Sequence, residues 1–209
     1  MSGARRMLKL YDYLPSGNSY KVRLVLAQLG IPYERIDVDI LKGQTRTPEF
    51  LAMNPNGRIP LLEIAPGNFL AESNAIMFYL AGGSALLPDD PLQQAQVLQW
   101  LFFEQYSHEP YIATPRFWIA LLGKEQEYRE ELAKKRGPGY AALKVMDQHL
   151  GTRDFFVAGR YTIADIGLYA YTHVAPEGGF DLSAFPSILA WFGRVKAQPR
   201  HIGIDQIPS

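Results

Sequence analysis

Three short stretches of this 209-residue chain carry residues whose types and spacing can do chemistry. Ser16-Gly17-Asn18-Ser19 follows a Leu14-Pro15 stop and leads into an apolar run of helical period, Val22, Leu24, Val25, Leu26 and Leu29. The start of a helix carries unpaired N–H groups and partial positive charge, so it stabilises an anion, a thiolate included. A hydroxyl at Ser16 and an amide at Asn18 add hydrogen-bond donors there. Taken alone, the same residues serve as a turn and a helix cap, with Ser19 as the plain cap or a second donor. Tyr11 and Tyr13 are near enough to compete as donors and rank lower because they fall in the preceding strand. The second stretch, Glu72-Ser73-Asn74, places an acid before another helix start. That helix start offers its N–H groups to a carboxylate and Glu72 can hold an ammonium, and a plain cap beside a solvated glutamate is the alternative. The third, Asn54-Pro55-Asn56-Gly57-Arg58-Ile59-Pro60, is a tight turn that opens a strand.

The sequence contains no cysteine, so it forms no disulfide, and any thiol chemistry must use a thiol from a ligand. Its four histidines, His108, His149, His173 and His201, have no metal-ligand spacing. Lysine plus arginine equals aspartate plus glutamate, 21 against 21, and this balance gives no sign of a nucleic-acid or anionic-membrane partner. No apolar run approaches the ~20 residues of a membrane span. The basic opening, Met1 to Arg6, runs into Leu8-Lys9-Leu10-Tyr11-Asp12, too short and polar for a signal peptide's apolar segment. The location expected is cytoplasmic.

These residues need elements to position them. Met7 to Tyr13 reads as a strand, the run to Leu29 as a helix closed by Gly30 and Pro32, and Tyr33 to Asp39 as a second strand, making a βαβ unit with parallel strands. Thr47-Pro48-Glu49 starts a short helix. Ile59 to Ile64 and Phe69 to Ala71 flank an Ala65-Pro66-Gly67-Asn68 hairpin turn, and a helix capped by Ser73 or Asn74 runs to Gly82-Gly83-Ser84. Leu87-Pro88-Asp89-Asp90-Pro91 is the expected boundary between a domain over 1–84 and one over 91–209. Beyond it everything reads as helix or loop. Pro110 and Pro115 interrupt, Glu125 to Arg136 is a charged helix broken by Gly137-Pro138-Gly139, and helices follow over Ala141 to Leu150, Thr162 to Tyr171 and Ile188 to Ala197.

The βαβαββα order with an all-helical second half, the three stretches above extended to Ser16 through Arg23 and Glu72 through Ile76, and Phe155-Phe156-Val157-Ala158-Gly159 leading to Thr162-Ile163-Ala164-Asp165 together resemble the glutathione transferase family. The resemblance spans Leu8 to Pro199. It implies an α+β chain: a thioredoxin-like N-terminal domain that binds glutathione, and an all-α C-terminal domain that shapes a second pocket. Ser16 matches the serine whose hydroxyl donates to the glutathione thiolate in theta- and zeta-like members, and Asn18 the asparagine that helps hold sulfur in nu-like ones. The resemblance implies a cis peptide before Pro60, with the Ile59 backbone pairing to the cysteinyl part of glutathione and Arg58 reaching its glycine carboxylate. Glu72 and Ser73 then take the γ-glutamyl end. Tyr106, Tyr111 and Arg116, with Phe117 and Trp118 beside them, lie where the second substrate is lined, although such an aromatic cluster also serves core or dimer packing.

The same resemblance implies glutathione as substrate or cosubstrate, no metal, a homodimer, and a small hydrophobic electrophile, peroxide or disulfide as the second partner. The missing cysteine argues against omega- and beta-like mechanisms. The zeta-like Ser-Ser-Cys loop appears here as Ser16-Gly17-Asn18. A non-catalytic binding or scaffold protein on the same fold is the competing expectation. Thr162 and Asp165 look like a capping box that serves folding.

Overall fold

Strand β1 (Leu8–Asp12) turns Leu10 and Asp12 to its buried side. The computed structural model describes residues 7–207, so the basic opening segment lies outside the described residues. Strand β2 (Tyr33–Asp37) lies parallel to β1, with Leu8 opposite Tyr33 and Asp12 opposite Asp37. The parallel pairing follows from helix α1 (Gly17–Leu29), which fills the crossover. Tyr20, Val22, Leu24, Val25 and Leu26 of α1 are fully buried. Gly30 ends the helix at φ 63 and donates its N–H to the Ala27 carbonyl, a left-handed cap that glycine adopts without steric cost.

Helix α2 (Pro48–Met53) starts as its sequence predicts: Thr47 Oγ1 accepts from the Phe50 N–H at 3.2 Å, and Pro48 occupies the first turn. Strands β3 (Leu61–Ala65) and β4 (Asn68–Ala71) form an antiparallel hairpin around Gly67, and β3 pairs antiparallel with β1. The sheet order is β2-β1-β3-β4, and helix α3 (Ser73–Ala81) completes the βαβαββα series. Val38, Phe50 and Leu61 form an apolar cluster, with the Tyr11 ring packed against it.

The described residues divide into two compact units: one holds 7–82 plus 202–207, and the other runs Gly83–His201. The returning stretch is tied by side chains of α1. Tyr20 Oη donates to the Ile202 carbonyl at 2.7 Å, and Arg23 Nη2 to the Ile204 carbonyl at 2.6 Å.

The second unit is helical among the described residues, apart from one isolated bridge between Val157 and Arg160. It holds α4 (Pro91–Phe103), α5 (Glu109–Arg116), α6 (Arg129–Leu150), α7 (Ile163–Thr172) and α8 (Pro186–Lys196). Every residue of α7 is buried.

Two sequence expectations are corrected here. Gly137-Pro138-Gly139 does not break a helix, because α6 passes straight through it. Gly139 is buried, and a Cβ added there would sit 2.5 Å from Phe180 Cε1 and 3.3 Å from Ile112 Cδ1. The glycine is a packing contact, and that burial offsets the cost of glycine and proline in the helix. Pro110 and Pro115 also lie inside helical backbone. Pro110 sits in the first turn of α5, after a π-turn over Glu104–His108, and a second π-turn over Phe117–Leu121 follows Arg116. The chain thus shifts its hydrogen-bond register instead of stopping.

Candidate functional site

Ser16 is the N-cap of α1, with φ −73 and ψ 124, and its Oγ accepts from the Ser19 N–H at 3.3 Å. Ser16, not Ser19, therefore caps the helix, and the Ser19 hydroxyl is buried without a hydrogen-bond partner. A hydroxyl accepts with its lone pairs and donates with its proton at the same time. The cap contact uses only a lone pair of Ser16 and leaves its O–H able to donate.

Asn18, in the first turn of the same helix, ties this loop to the second motif. The Ser73 hydroxyl donates to Asn18 Oδ1 at 3.1 Å. Ser73 is the first residue of α3 and is buried, while Glu72 before it takes the capping position. Neither Ser73 nor Asn74 is the cap, contrary to the sequence expectation, because the Ser73 hydroxyl is spent on Asn18. Glu72 makes no side-chain capping bond, and its backbone sits at φ 68 and ψ 113. A residue with a Cβ held there stores on the order of 1–3 kcal/mol, and such strain gathers where a ligand is clamped. The Glu72 side chain is exposed.

The third motif is built around Asn54. Its Nδ2 donates to the Arg58 carbonyl at 2.8 Å, and its Oδ1 accepts from the Asn56 N–H at 3.2 Å. Gly57 has φ 61, and a Cβ there would meet the Thr45 carbonyl oxygen at 2.9 Å, so only glycine makes this turn. The Ile59–Pro60 peptide bond is cis. Pro60 is buried, Ile59 half-buried and Arg58 exposed.

Tyr11 packs edge-on against Phe50 and Phe69, with ring centroids 6.1 and 6.4 Å away. Burial raises the pKa of both Tyr11 and Tyr13, with negative charge from Glu63 adding to it at Tyr11 and from Asp39 and Asp37 at Tyr13. The Tyr11 ring is thus committed to the apolar cluster.

Two cations missed by sequence reasoning lie in α1. Lys21 and Arg23 are fully buried. Arg23 Nη1 meets Asp12 Oδ1 at 2.6 Å, and Arg35 Nε takes the other oxygen of Asp12 at 2.5 Å. Lys21 Nζ lies 3.3 Å from Asn74 Oδ1 and 3.5 Å from Ser73 Oγ. The signal was available: Tyr20 to Leu26 offers no polar face, so its cations must find partners inside.

In the helical unit, Tyr106 projects outward and is 83% exposed. Tyr111 and Trp118 share the Lys135 ammonium, whose Nζ stands 5.5 and 5.6 Å from their ring centroids. Trp118 also stacks on Tyr128 at 4.4 Å. Arg116 is buried, with Nε 2.7 Å from Glu177 Oε2.

At α7 the capping box is present. Asp165 Oδ2 accepts from the Thr162 N–H at 2.9 Å and from its hydroxyl at 3.2 Å, while Oδ1 accepts from Trp191 Nε1 at 3.0 Å and the Phe156 N–H at 3.2 Å. Among the described residues, no group of His, Cys, Asp or Glu has the arrangement of a metal site. No helix there is long and apolar enough to cross a membrane.

A mixed four-stranded sheet with a cis-proline before β3, two helix starts joined by a hydrogen bond and a helical second unit defines a thioredoxin-like protein with an all-α partner domain. Residues 6–82 match the family described as "Glutathione S-transferase, N-terminal domain", and residues 100–199 match "Glutathione S-transferase, C-terminal domain". The chain belongs to the glutathione S-transferase family. It is 35% identical to a maleylacetoacetate isomerase from Rhizobium meliloti (strain 1021), over 87% of each chain. A crystal structure of a possible glutathione S-transferase from Rhodopseudomonas palustris superposes with a TM-score of 0.95 at 53% identity, covering 97% of this chain and 100% of the other. A glutathione transferase family member from Pseudomonas fluorescens Pf-5, solved with two glutathione molecules bound, gives a TM-score of 0.84 at 30% identity, covering 99% of this chain and 96% of that one.

Proposed function

We propose that this chain is a glutathione-dependent enzyme that binds the tripeptide on its first unit and activates the tripeptide's own thiol. The observation that carries this reading is the hydrogen bond from Ser73 to Asn18 at 3.1 Å, which joins the thiol-stabilising loop to the helix start suited to an amino-acid end group. The chain supplies no thiol of its own, so the reacting sulfur is glutathione's. A free thiol has a pKa near ~8.5 and is mostly protonated at neutral pH. The Ser16 hydroxyl, the Asn18 amide and the start of α1 favour the thiolate and lower that value. The thiolate then attacks an electrophilic carbon, forming a C–S bond while the leaving group departs or the addition product takes up a proton. Peroxide or disulfide reduction and glutathione-assisted isomerisation start from the same activated sulfur.

Glu72 holds the ammonium and the α3 start the carboxylate of the γ-glutamyl end. The Ile59 backbone next to cis-Pro60 pairs with the cysteinyl peptide, and Arg58 takes the glycyl carboxylate. Tyr106, Tyr111 and Arg116 line the pocket for the second substrate in the helical unit, Gly83–His201, while the first unit binds glutathione. We place the enzyme in the cytoplasm as a homodimer. Leu92 and Phe102, 67% and 69% exposed along α4, give it apolar surface to pair.

Retention on glutathione-agarose, followed by a panel of electrophiles, peroxides, a glutathione disulfide and maleylacetoacetate, tests this reading. Turnover of at least one class is expected. Retention without turnover of any class would leave a binding or scaffold protein. Light scattering at micromolar protein should give the dimer mass.

A further inference from the structure

Of the two buried cations of α1, Arg23 pairs with Asp12. Lys21 reaches across to the start of α3, donating to Asn74 Oδ1 at 3.3 Å and to Ser73 Oγ at 3.5 Å. Ser73 Oγ in turn donates to Asn18 Oδ1 at 3.1 Å. Chemistry fixes the sense of this chain, because an ammonium only donates and a carboxamide oxygen only accepts. Donation therefore runs from Lys21 to Ser73 to Asn18. Each bond polarises the next, so the Asn18 N–H groups become stronger donors than those of an isolated amide. The same contacts fix which way the Asn18 amide faces, and they hold the starts of α1 and α3 in one register.

We propose that Lys21 is a positioning residue for the glutathione site, orienting Asn18 and Ser73 and lending them positive charge in support of the bound thiolate. This rests on the glutathione reading above, which is established separately if the wild-type protein binds glutathione with a thiolate absorbance that titrates below the free thiol.

With that in hand, Lys21→Met, Lys21→Gln and Lys21→Arg are compared by calorimetry with glutathione and with S-methylglutathione, by titration of the bound thiolate, and by melting temperature. Lys21→Met should raise the pKa of the bound thiol by about one unit and weaken glutathione about tenfold. S-methylglutathione, which has no thiol to ionise, should lose less. Lys21→Arg should recover most of both effects. Lys21→Gln keeps a donor without the charge and is the variant to read if Lys21→Met does not fold, and its bound thiol should still titrate higher. A wild-type thiol titration in Lys21→Met or Lys21→Gln, even with a lowered melting temperature, would make Lys21 a structural tie and overturn the proposal.

Discussion

Two helix starts in this molecule carry a hydroxyl residue and an acid, and they are built in opposite ways. At α7, Thr162 and Asp165 are fully buried, and the carboxylate oxygens accept four hydrogen bonds from within the same unit. At α3, Glu72 is exposed, makes no side-chain capping bond and stands at φ 68. The first arrangement is satisfied internally and leaves nothing for a ligand. The second carries backbone strain that no capping bond offsets, and a carboxylate free to meet an ammonium from outside. The same residue types thus close their bonds internally at α7 and leave them open at α3, the arrangement that the proposed binding of a γ-glutamyl end requires.

Asp165→Ala breaks the satisfied side of this comparison most severely. It strands the Trp191 Nε1–H and two backbone N–H groups in an apolar interior, so it should cost about 4 kcal/mol, read as a drop in melting temperature on the order of 10 °C. Glutathione affinity of the folded protein should not change. Lost affinity at native stability would mean that the two helix starts are not separate in function.

The far end of α7 gives a pH test of the same interior. Burial holds His173 down to about 4 from an ordinary 6.5, and its ring stacks on Tyr169 at 4.4 Å. Between those values the unfolded chain binds a proton that the folded chain refuses, so this group's stabilisation is present above pH 6.5 and lost as pH falls toward 4. Asp165 works the other way: burial pushes its carboxyl up to about 7 from 3.8, so its contribution is lost as pH rises through that window. His173→Phe keeps the ring and removes one titration. The unfolding free energy of the variant relative to wild type should therefore rise by about 3 kcal/mol from pH 6.5 to pH 4. A constant difference would show that the His173 imidazole is not kept neutral by the fold.

Glu72→Gln sharpens the open side. It keeps the shape and removes the charge, so glutathione should bind roughly ten- to a hundredfold more weakly by calorimetry, with melting nearly unchanged. Glu72→Gly should lose the same affinity and gain about 1 kcal/mol of stability, because glycine takes the positive φ without strain. Unchanged affinity in both variants would place the γ-glutamyl end elsewhere.

Much of this architecture is legible in the sequence because its signals are local. Gly30 at a left-handed cap, Thr47 and Pro48 at the start of α2, Gly67 in a hairpin turn and the Thr162/Asp165 box depend on neighbours within a few positions. What escaped is nonlocal. Gly137-Pro138-Gly139 reads as a break until Phe180 and Ile112 are seen against Gly139. Lys21 finds its partners in Ser73 and Asn74, more than fifty positions away. The positive φ of Glu72 has no sequence signature, since glutamate seldom adopts it. At the site, residue types and motif order named the candidates. The bonds among Asn18, Ser73 and Lys21, which decide how those candidates can cooperate, required the fold.

The central claim is that the start of α1 lowers the pKa of a bound glutathione thiol, and the absorbance of the thiolate against pH tests it most directly. In the wild-type complex the thiol should titrate about a unit or more below ~8.5, which corresponds to at least ~1.4 kcal/mol of preference for the charged form. Ser16→Ala should move that titration back toward the free value while glutathione remains bound, with the loss of turnover shrinking at alkaline pH. Asn18→Ala should do the same where the amide shares the sulfur, and little where the hydroxyl acts alone. A wild-type titration curve retained in both variants would contradict the account and pass the role to a phenol such as Tyr13.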